Sequence, residues 1–130
     1  MYKRQGKDAT ILACGLMVHE ALTASEMLAE KGFQVGVVDM FTIKPIDADL
    51  IRQLSSQTKL IVTAENHNVI GGLGSAVAEV LAESGSTIKL KRIGCQDRFG
   101  QVGSLEFLQK EYGLTAFDIQ ELIVSFYQKT

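Results

Sequence analysis

Cysteine and proline are scarce in this chain of 130 residues, with two of the first and one of the second. Cys14 and Cys95 stand far apart, with no further cysteine at metal-ligand spacing and no flanking histidine, which argues against a metal site. Their place in or beside apolar strands predicts buried free thiols, which suits a reducing cytoplasm. A large excess of charge of one sign is also missing. Lys and Arg total 13 against 15 Asp and Glu, for a net charge of -2, so no positive field gathers nucleic acid. No run of like charge offers a tail or a polybasic membrane patch. Residues 1–8 begin basic but lack the apolar stretch of a secretory signal, and no segment is long and apolar enough to span a bilayer. The expectation is a cytoplasmic protein with no nucleic-acid or membrane partner. What is abundant is apolar surface, 46% of the residues, enough for one continuous core and a single domain over 1–130.

The apolar residues alternate between short continuous runs and helical spacing. Ala9 to Gly15 reads as a strand closed by glycine, and Val18 to Lys31 as a helix stopped at Gly32. Phe33 to Met40 is a second strand, too continuously apolar for a sheet with one wet face. Helices on both faces and a βαβ crossover follow from that. Lys44-Pro45-Ile46-Asp47 is a turn, with Asp47 placed to cap a helix from Ala48 to about Ser55. Leu60 to Ala64 is the third strand, and a helix from about Leu73 to Ser84 stops near Gly85. Ile88 to Ile93 alternates apolar and basic residues, as a half-exposed edge strand does. A glycine-bearing connection over Gly94 to Gly103 leads to two more helices, with Ser104 and Thr115 as N-caps and Thr115-x-x-Asp118 as an approximate capping box. Tyr2 to Gln5 is expected to pair antiparallel beside the first strand through a turn at Gly6-Lys7-Asp8.

Polar, ionisable and glycine residues concentrate at the end of a sheet only in the run from Glu65 to Ala76, read as a loop between the third strand and its helix. That is where an α/β domain keeps its chemistry. Gly72-x-Gly74-x-x-Val77 partly matches a dinucleotide fingerprint, yet its last glycine is missing and the next strand ends in Ile93-Gly94-Cys95 without the acidic residue that would hold a ribose. A tight helix start with exposed backbone amides is favoured, and those amides offer an anion a place to bind. His67 has two readings. It is either a general base or donor oriented by Glu65, or a surface histidine among turn-shaping asparagines, and the second is favoured because no nucleophile stands nearby. His19-Glu20 opens like a zinc-protease motif, but Thr23 occupies the position of the second ligand. Arg98, within Asp97-Arg98-Phe99-Gly100-Gln101, either holds a substrate phosphate or forms a salt bridge across a subunit interface.

Read together, these landmarks resemble the C-terminal domain of transketolase, in the superfamily of thiamine diphosphate enzymes. The resemblance runs from Lys7-Asp8-Ala9-Thr10-Ile11 through Gly15-x-Met17-Val18, Ala29-Glu30-Lys31-Gly32 and Thr42-Ile43-Lys44-Pro45-Ile46-Asp47 to Thr63-Ala64-Glu65-Asn66-His67 and Gly71 to Glu79. Similar domains end deoxyxylulose-phosphate synthase and the β subunits of 2-oxo acid dehydrogenases, and these remain the rivals. Phe99-Gly100-Gln101-x-Gly103 with Tyr112-Gly113-Leu114-Thr115 looks like transketolase, particularly those made as separate N- and C-terminal subunits, although Asp97-Arg98-Phe99 also suits the synthase.

The resemblance implies a three-layer α/β/α fold with a mostly parallel five-stranded sheet and one antiparallel edge strand. It implies a parent enzyme that moves a two-carbon ketol group between sugar phosphates, with thiamine diphosphate and Mg²⁺ held by other domains. The Gly-Asp-Gly of the diphosphate-binding domain is absent from this chain, whether the chain is a natural fragment or a cut-out piece. No catalytic, cofactor-binding or metal residue is therefore assigned here, and the domain alone is expected to be inactive. Its partners are the remaining transketolase domains or an N-terminal subunit, with homodimer contacts. Glu65, His67, Gly71, Gly72, Gly74 and Arg98 are the candidates for the substrate channel or the interface, with Glu65 and His67 turned toward a partner subunit. A stand-alone nucleotide- or phosphate-binding module using the glycine loop is the remaining alternative.

Overall fold

The computed structural model describes residues 1–129. In chain order the elements are β1 (Tyr2–Arg4), β2 (Ala9–Ala13), α1 (Met17–Glu30), β3 (Val35–Asp39), α2 (Ala48–Gln57), β4 (Leu60–Asn68), α3 (Leu73–Glu83), β5 (Lys89–Cys95), α4 (Leu105–Glu111) and α5 (Ala116–Gln128). The sheet has five strands in the order β1-β3-β2-β4-β5. β1 is antiparallel to β3, and every other pairing is parallel. Helices cover both faces, so the expected three-layer arrangement is present.

Strand periodicity explains why the strand sequences are continuously apolar. Ile11, Ala13, Val35, Val37, Leu60, Val62 and Ala64 enter one core with Met17, Ala21 and Leu28 of α1 and Ile119 and Ile123 of α5. Leu12, Val38 and Ile61 point the other way, onto Ile51 and Leu54 of α2 and Leu73, Val77 and Leu81 of α3. Alternate residues serve opposite faces, and both faces are dry. At the sheet edge this coverage fails, and β5 exposes Lys89 and Lys91 as its alternation predicts, and Arg92 on the other face as well. The expected caps are in place. Asp47 Oδ1 accepts from Leu50 N at 3.0 Å and Ser104 Oγ from Phe107 N at 3.2 Å. Thr115 and Asp118 close a reciprocal capping box.

The placement of β1 corrects the sequence expectation. β2 already has parallel neighbours on both sides, β3 and β4, so it has no free edge for another strand. β1 takes the outer edge of β3 instead, and the chain must cross β3 to reach β2. Gly6 and Gly36 meet at that crossing. A Cβ on Gly36 would lie 2.9 Å from Gly6 N, and a Cβ on Gly6 would collide with Gly36 N and the carbonyl of Gln34. Asp8 fastens the crossing, its backbone N donating to Gln34 O at 2.9 Å and its Oδ2 accepting from Gln34 N at 2.7 Å.

The four parallel strands end on one side, the carboxyl edge of the sheet, where Cys14 follows β2 and Cys95 closes β5. Both cysteines are free, and both are partly exposed instead of buried as expected, because the strands leave the helix layers there. No helix among the described residues is long and apolar enough to cross a membrane.

Candidate functional site at the carboxyl edge of the sheet

β4 runs four residues past the expected end at Ala64, so Glu65, Asn66, His67 and Asn68 belong to the strand and not to a loop. The extension sets their directions. Ile61, Thr63, Glu65 and His67 share the face that looks at α3, by the period of two along a strand. Glu65 is 0% exposed, and its carboxylate reaches the first turn of α3. Oε1 accepts from Leu73 N at 2.9 Å and Oε2 from Gly74 N at 2.7 Å. A helix N-terminus leaves such N–H groups without intrahelical partners and favours negative charge, so a strand carboxylate supplies here the cap that Gly72 lacks. His67, with its side chain 47% exposed, brings Nε2 to 3.0 Å from Glu65 Oε1. Its Nδ1 lies 3.2 Å from Asn68 O. Both neighbours are acceptors, so a doubly protonated ring donates to both and a neutral ring to only one.

The glycines fit around this pair. Gly71 turns the chain with φ +82°. Gly72 lies so close to Glu65 Oε1 and His67 Cε1 that it has no room for a Cβ. Gly74 lets α3 settle on β4 and β5, since a Cβ there would lie 2.8 Å from Thr63 Oγ1 and from Arg92 Cδ. The turn is closed internally: Asn68 Oδ1 accepts from Ile70 N at 2.8 Å, and Ser75 Oγ accepts from Gly71 N at 2.9 Å.

Three expectations change. The amides expected to receive an external anion, those of Leu73 and Gly74, are engaged by Glu65. Glu65 does not face outward toward a partner, because burial and two hydrogen bonds hold it inside; only His67 of the pair reaches the surface. Arg98 finds its partners within the chain, with Nη2 donating to Glu111 O at 3.0 Å and its guanidinium 4.7 Å from the centroid of the Tyr112 ring. Its sequence neighbour Asp97 reaches toward the Glu65–His67 pair, Oδ1 accepting from Asn68 Nδ2 at 3.4 Å.

Sequence reading missed two features. Glu20 of α1 reaches the start of α5, accepting from Ala116 N at 2.8 Å, a second case of a helix capped by a distant carboxylate. No local pattern marks either Glu20 or Glu65 as a cap. The second feature is apolar. Leu16, Phe41, Ile70 and Phe99 are exposed on the connections that follow β2, β3, β4 and β5 respectively. Phe99 and Val102 are both 100% exposed, and α4 beyond them has no buried residue. The backbone that displays Phe99 and Val102 is nevertheless tied down, by Arg98 and by Gln101 N donating to Tyr112 Oη at 2.8 Å.

Cys14 shares this edge, and burial, reinforced by the nearby carboxylates of Glu65 and Asp39, pushes its thiol above the ordinary range. A raised value means less thiolate in the folded chain than in the unfolded one. In a Cys95→Ser chain at about pH 8.5, iodoacetamide is therefore expected to alkylate Cys14 several-fold more slowly in buffer than in urea. Equal rates would contradict this picture of the edge. Among the described residues no group of three or more His, Cys, Asp or Glu side chains converges to hold a metal.

Residues 1–119 match the family model described as "Transketolase, C-terminal domain". A 6-deoxy-6-sulfo-D-fructose transketolase subunit from Clostridium sp. (strain MSTE9) is 47% identical over 116 residues, 89% of this chain and 36% of that protein. A 1-deoxy-D-xylulose-5-phosphate synthase from Heliobacterium modesticaldum is 41% identical over 116 residues, 89% of this chain and 18% of that protein. Among solved structures, a split-gene transketolase in the form of an inactive β4 tetramer has a TM-score of 0.91 at 44% identity, covering 96% of this chain and 41% of that one. This chain thus spans little more than a third of the first of these relatives. With that match over nearly its whole length, and with the expected sheet and helix layers, the chain belongs to the transketolase C-terminal domain family.

Proposed function

We propose that this chain is the C-terminal section of a transketolase-type enzyme and that its share is architectural. In this reading it seats its carboxyl edge against the polypeptide that carries the cofactor, and so completes an enzyme that transfers a two-carbon ketol group between sugar phosphates. The observation that carries the proposal is the exposure of Leu16, Phe41, Ile70, Phe99 and Val102 on connections at one edge, followed by a helix with no buried residue. A seven-residue helix is marginal by itself and draws its stability from packing, so α4 is built to be covered. Anchored, fully exposed apolar side chains are what an interface centre presents before its partner arrives.

Thiamine diphosphate and Mg²⁺ belong to the proposed parent enzyme, and the residues of this chain do not fit them. The amides at the start of α3, which offered an anion a place to bind, are occupied by Glu65, and no Gly-Asp-Gly occurs in the sequence. Cofactor binding is therefore assigned to the rest of the parent. Of the two activities carried by the relatives, transketolase is preferred because its subunit shares 47% identity against 41% for the synthase, and because the solved relative that fits with a TM-score of 0.91 is a split-gene transketolase.

The test mixes this chain with a separately produced polypeptide holding the diphosphate- and pyrimidine-binding domains, in the presence of thiamine diphosphate and Mg²⁺. Ketol transfer is expected from the mixture and not from the chain alone, and turnover by the purified chain would end the proposal. A Phe99→Ser/Val102→Ser chain is expected to weaken the restored activity about tenfold or more at limiting concentration, since central apolar anchors each carry about 1–2 kcal/mol of binding or more. Unchanged activity would place the interface elsewhere.

A further inference from the structure

At the opposite end of the strands from Glu65, near the amino ends of β2 and β3, a crevice of about 440 Å³ opens between α2 and the crossing of the chain over β3. Its walls come from four separate segments: Tyr2 of β1, Gln5 and Lys7 of the crossing, Gln34 leading into β3, and Gln53 and Gln57 one turn apart on α2. Four of the nine glutamines of the chain thus meet in one place. No side-chain hydrogen bond ties any of these four amides to the rest of the described chain; Gln34 and Gln53 engage only through their backbones. Lys7 is the single charged residue of the lining, and its ammonium has no ion-pair partner among the described residues. The carboxylate closest in sequence, Asp8, is turned away to Gln34 N and to Lys59 Nζ at 3.9 Å.

We propose that this crevice is a binding site for a nucleoside monophosphate. Each glutamine offers an adjacent donor and acceptor, the pattern that pairs with the edge of a base, and Tyr2 adds a phenol and an aromatic surface. Lys7 supplies one positive charge with no competing carboxylate, which suits a phosphate monoester. The volume lies within the range of small-molecule sites, about 300–1,000 Å³. Glu65 closes the glycine loop to anions, so a nucleotide that binds this protein binds at the glutamine crevice and not at the fingerprint-like Gly72-x-Gly74. The proposal does not depend on the parentage argued above, because every residue it uses lies away from the carboxyl edge.

The experiment titrates the ¹⁵N-labelled chain with adenosine 5′-monophosphate, uridine 5′-monophosphate, ribose 5-phosphate and inorganic phosphate, followed by backbone amide shifts and calorimetry. At least one nucleotide is expected to saturate with a Kd of about 1 mM or tighter, shifting Gly6, Lys7, Gln34, Gln53 and Gln57. A Gln53→Ala/Gln57→Ala chain, altered only at exposed positions of α2, is expected to lose affinity about tenfold while keeping its amide spectrum elsewhere, and Lys7→Ala to weaken the nucleotide as well. Ribose 5-phosphate binding as tightly as the nucleotides would overturn recognition of the base. Inorganic phosphate binding equally well, shifts confined to residues 65–74, or no saturable shift at about 5 mM would each overturn the site.

Discussion

Replacing Glu65 by alanine is expected to remove about 3 kcal/mol or more of unfolding free energy, read from urea denaturation. The buried carboxylate takes one hydrogen bond from Leu73 N and another from Gly74 N, each charge-assisted. Alanine leaves both N–H groups at the start of α3 without their acceptor, and leaves a void where the acid stood. Glu65→Gln separates charge and geometry from volume. The amide keeps the shape but turns an NH₂ toward one of two N–H donors, so a loss of about 2 kcal/mol is expected even without a cavity. His67→Ala should cost under about 1 kcal/mol, because that ring is half exposed and its pairing is screened by solvent. Against a total stability of roughly 5–15 kcal/mol the contrast is large. If His67→Ala proved as damaging as Glu65→Ala, the reading of Glu65 as a helix cap would have to be abandoned.

Gly6→Ala should be nearly as damaging, for a reason that no side-chain contact reveals. The added methyl would meet backbone atoms of Gly36, Gln34 and Val35, none of which can rotate aside. Overpacking against side chains costs about 1–3 kcal/mol, so about 3 kcal/mol or more is expected where only backbone can yield. For a chain of this size that corresponds to a fall in Tm of roughly 10 °C. Gly32→Ala supplies the control: a Cβ there meets nothing within 4 Å, and only its φ of +89° opposes the change, at about 1–2 kcal/mol. Similar midpoints for the two variants would mean that the strand crossing is looser than the close approach of Gly6 to Gly36 requires.

The carboxyl edge shows why a site of this kind is only half legible in a sequence. The glycines at 71, 72 and 74 and the neighbouring Glu65 and His67 mark the place, since such a concentration is rare in an apolar chain. Their roles are not marked. Glu65 two residues before His67 looks like an acid orienting a base, and that geometry does exist, with 3.0 Å between Nε2 and Oε1. The principal engagement of Glu65 is with α3, eight and nine residues ahead. That becomes apparent only once β4 is known to continue through Asn68, with its alternate residues facing the helix. Arg98 is similar. A guanidinium invites a phosphate or a subunit contact, and Tyr112 and Glu111 engage one side of it from within the chain. The exposed Leu16, Phe41, Ile70 and Phe99 escape notice in sequence because they lie on four connections far apart in the chain, and they form a set only because four parallel strands end on one side.

Local chemistry was sufficient for everything governed by neighbours in the chain. The continuous apolar runs of β2 and β3, the N-caps at Asp47, Ser104 and Thr115, and the alternating basic β5 each follow from residues within a few positions of one another, where periodicity and capping act. Tertiary structure alone decided which edge β1 joins, because that depends on β2 being flanked on both sides by strands that lie later in the chain. It alone decided that Glu65 caps α3 and that Glu20 adds a distant acceptor to the locally capped start of α5, because an unpaired helix N–H donates to a carboxylate from any segment that packing brings within about 3 Å.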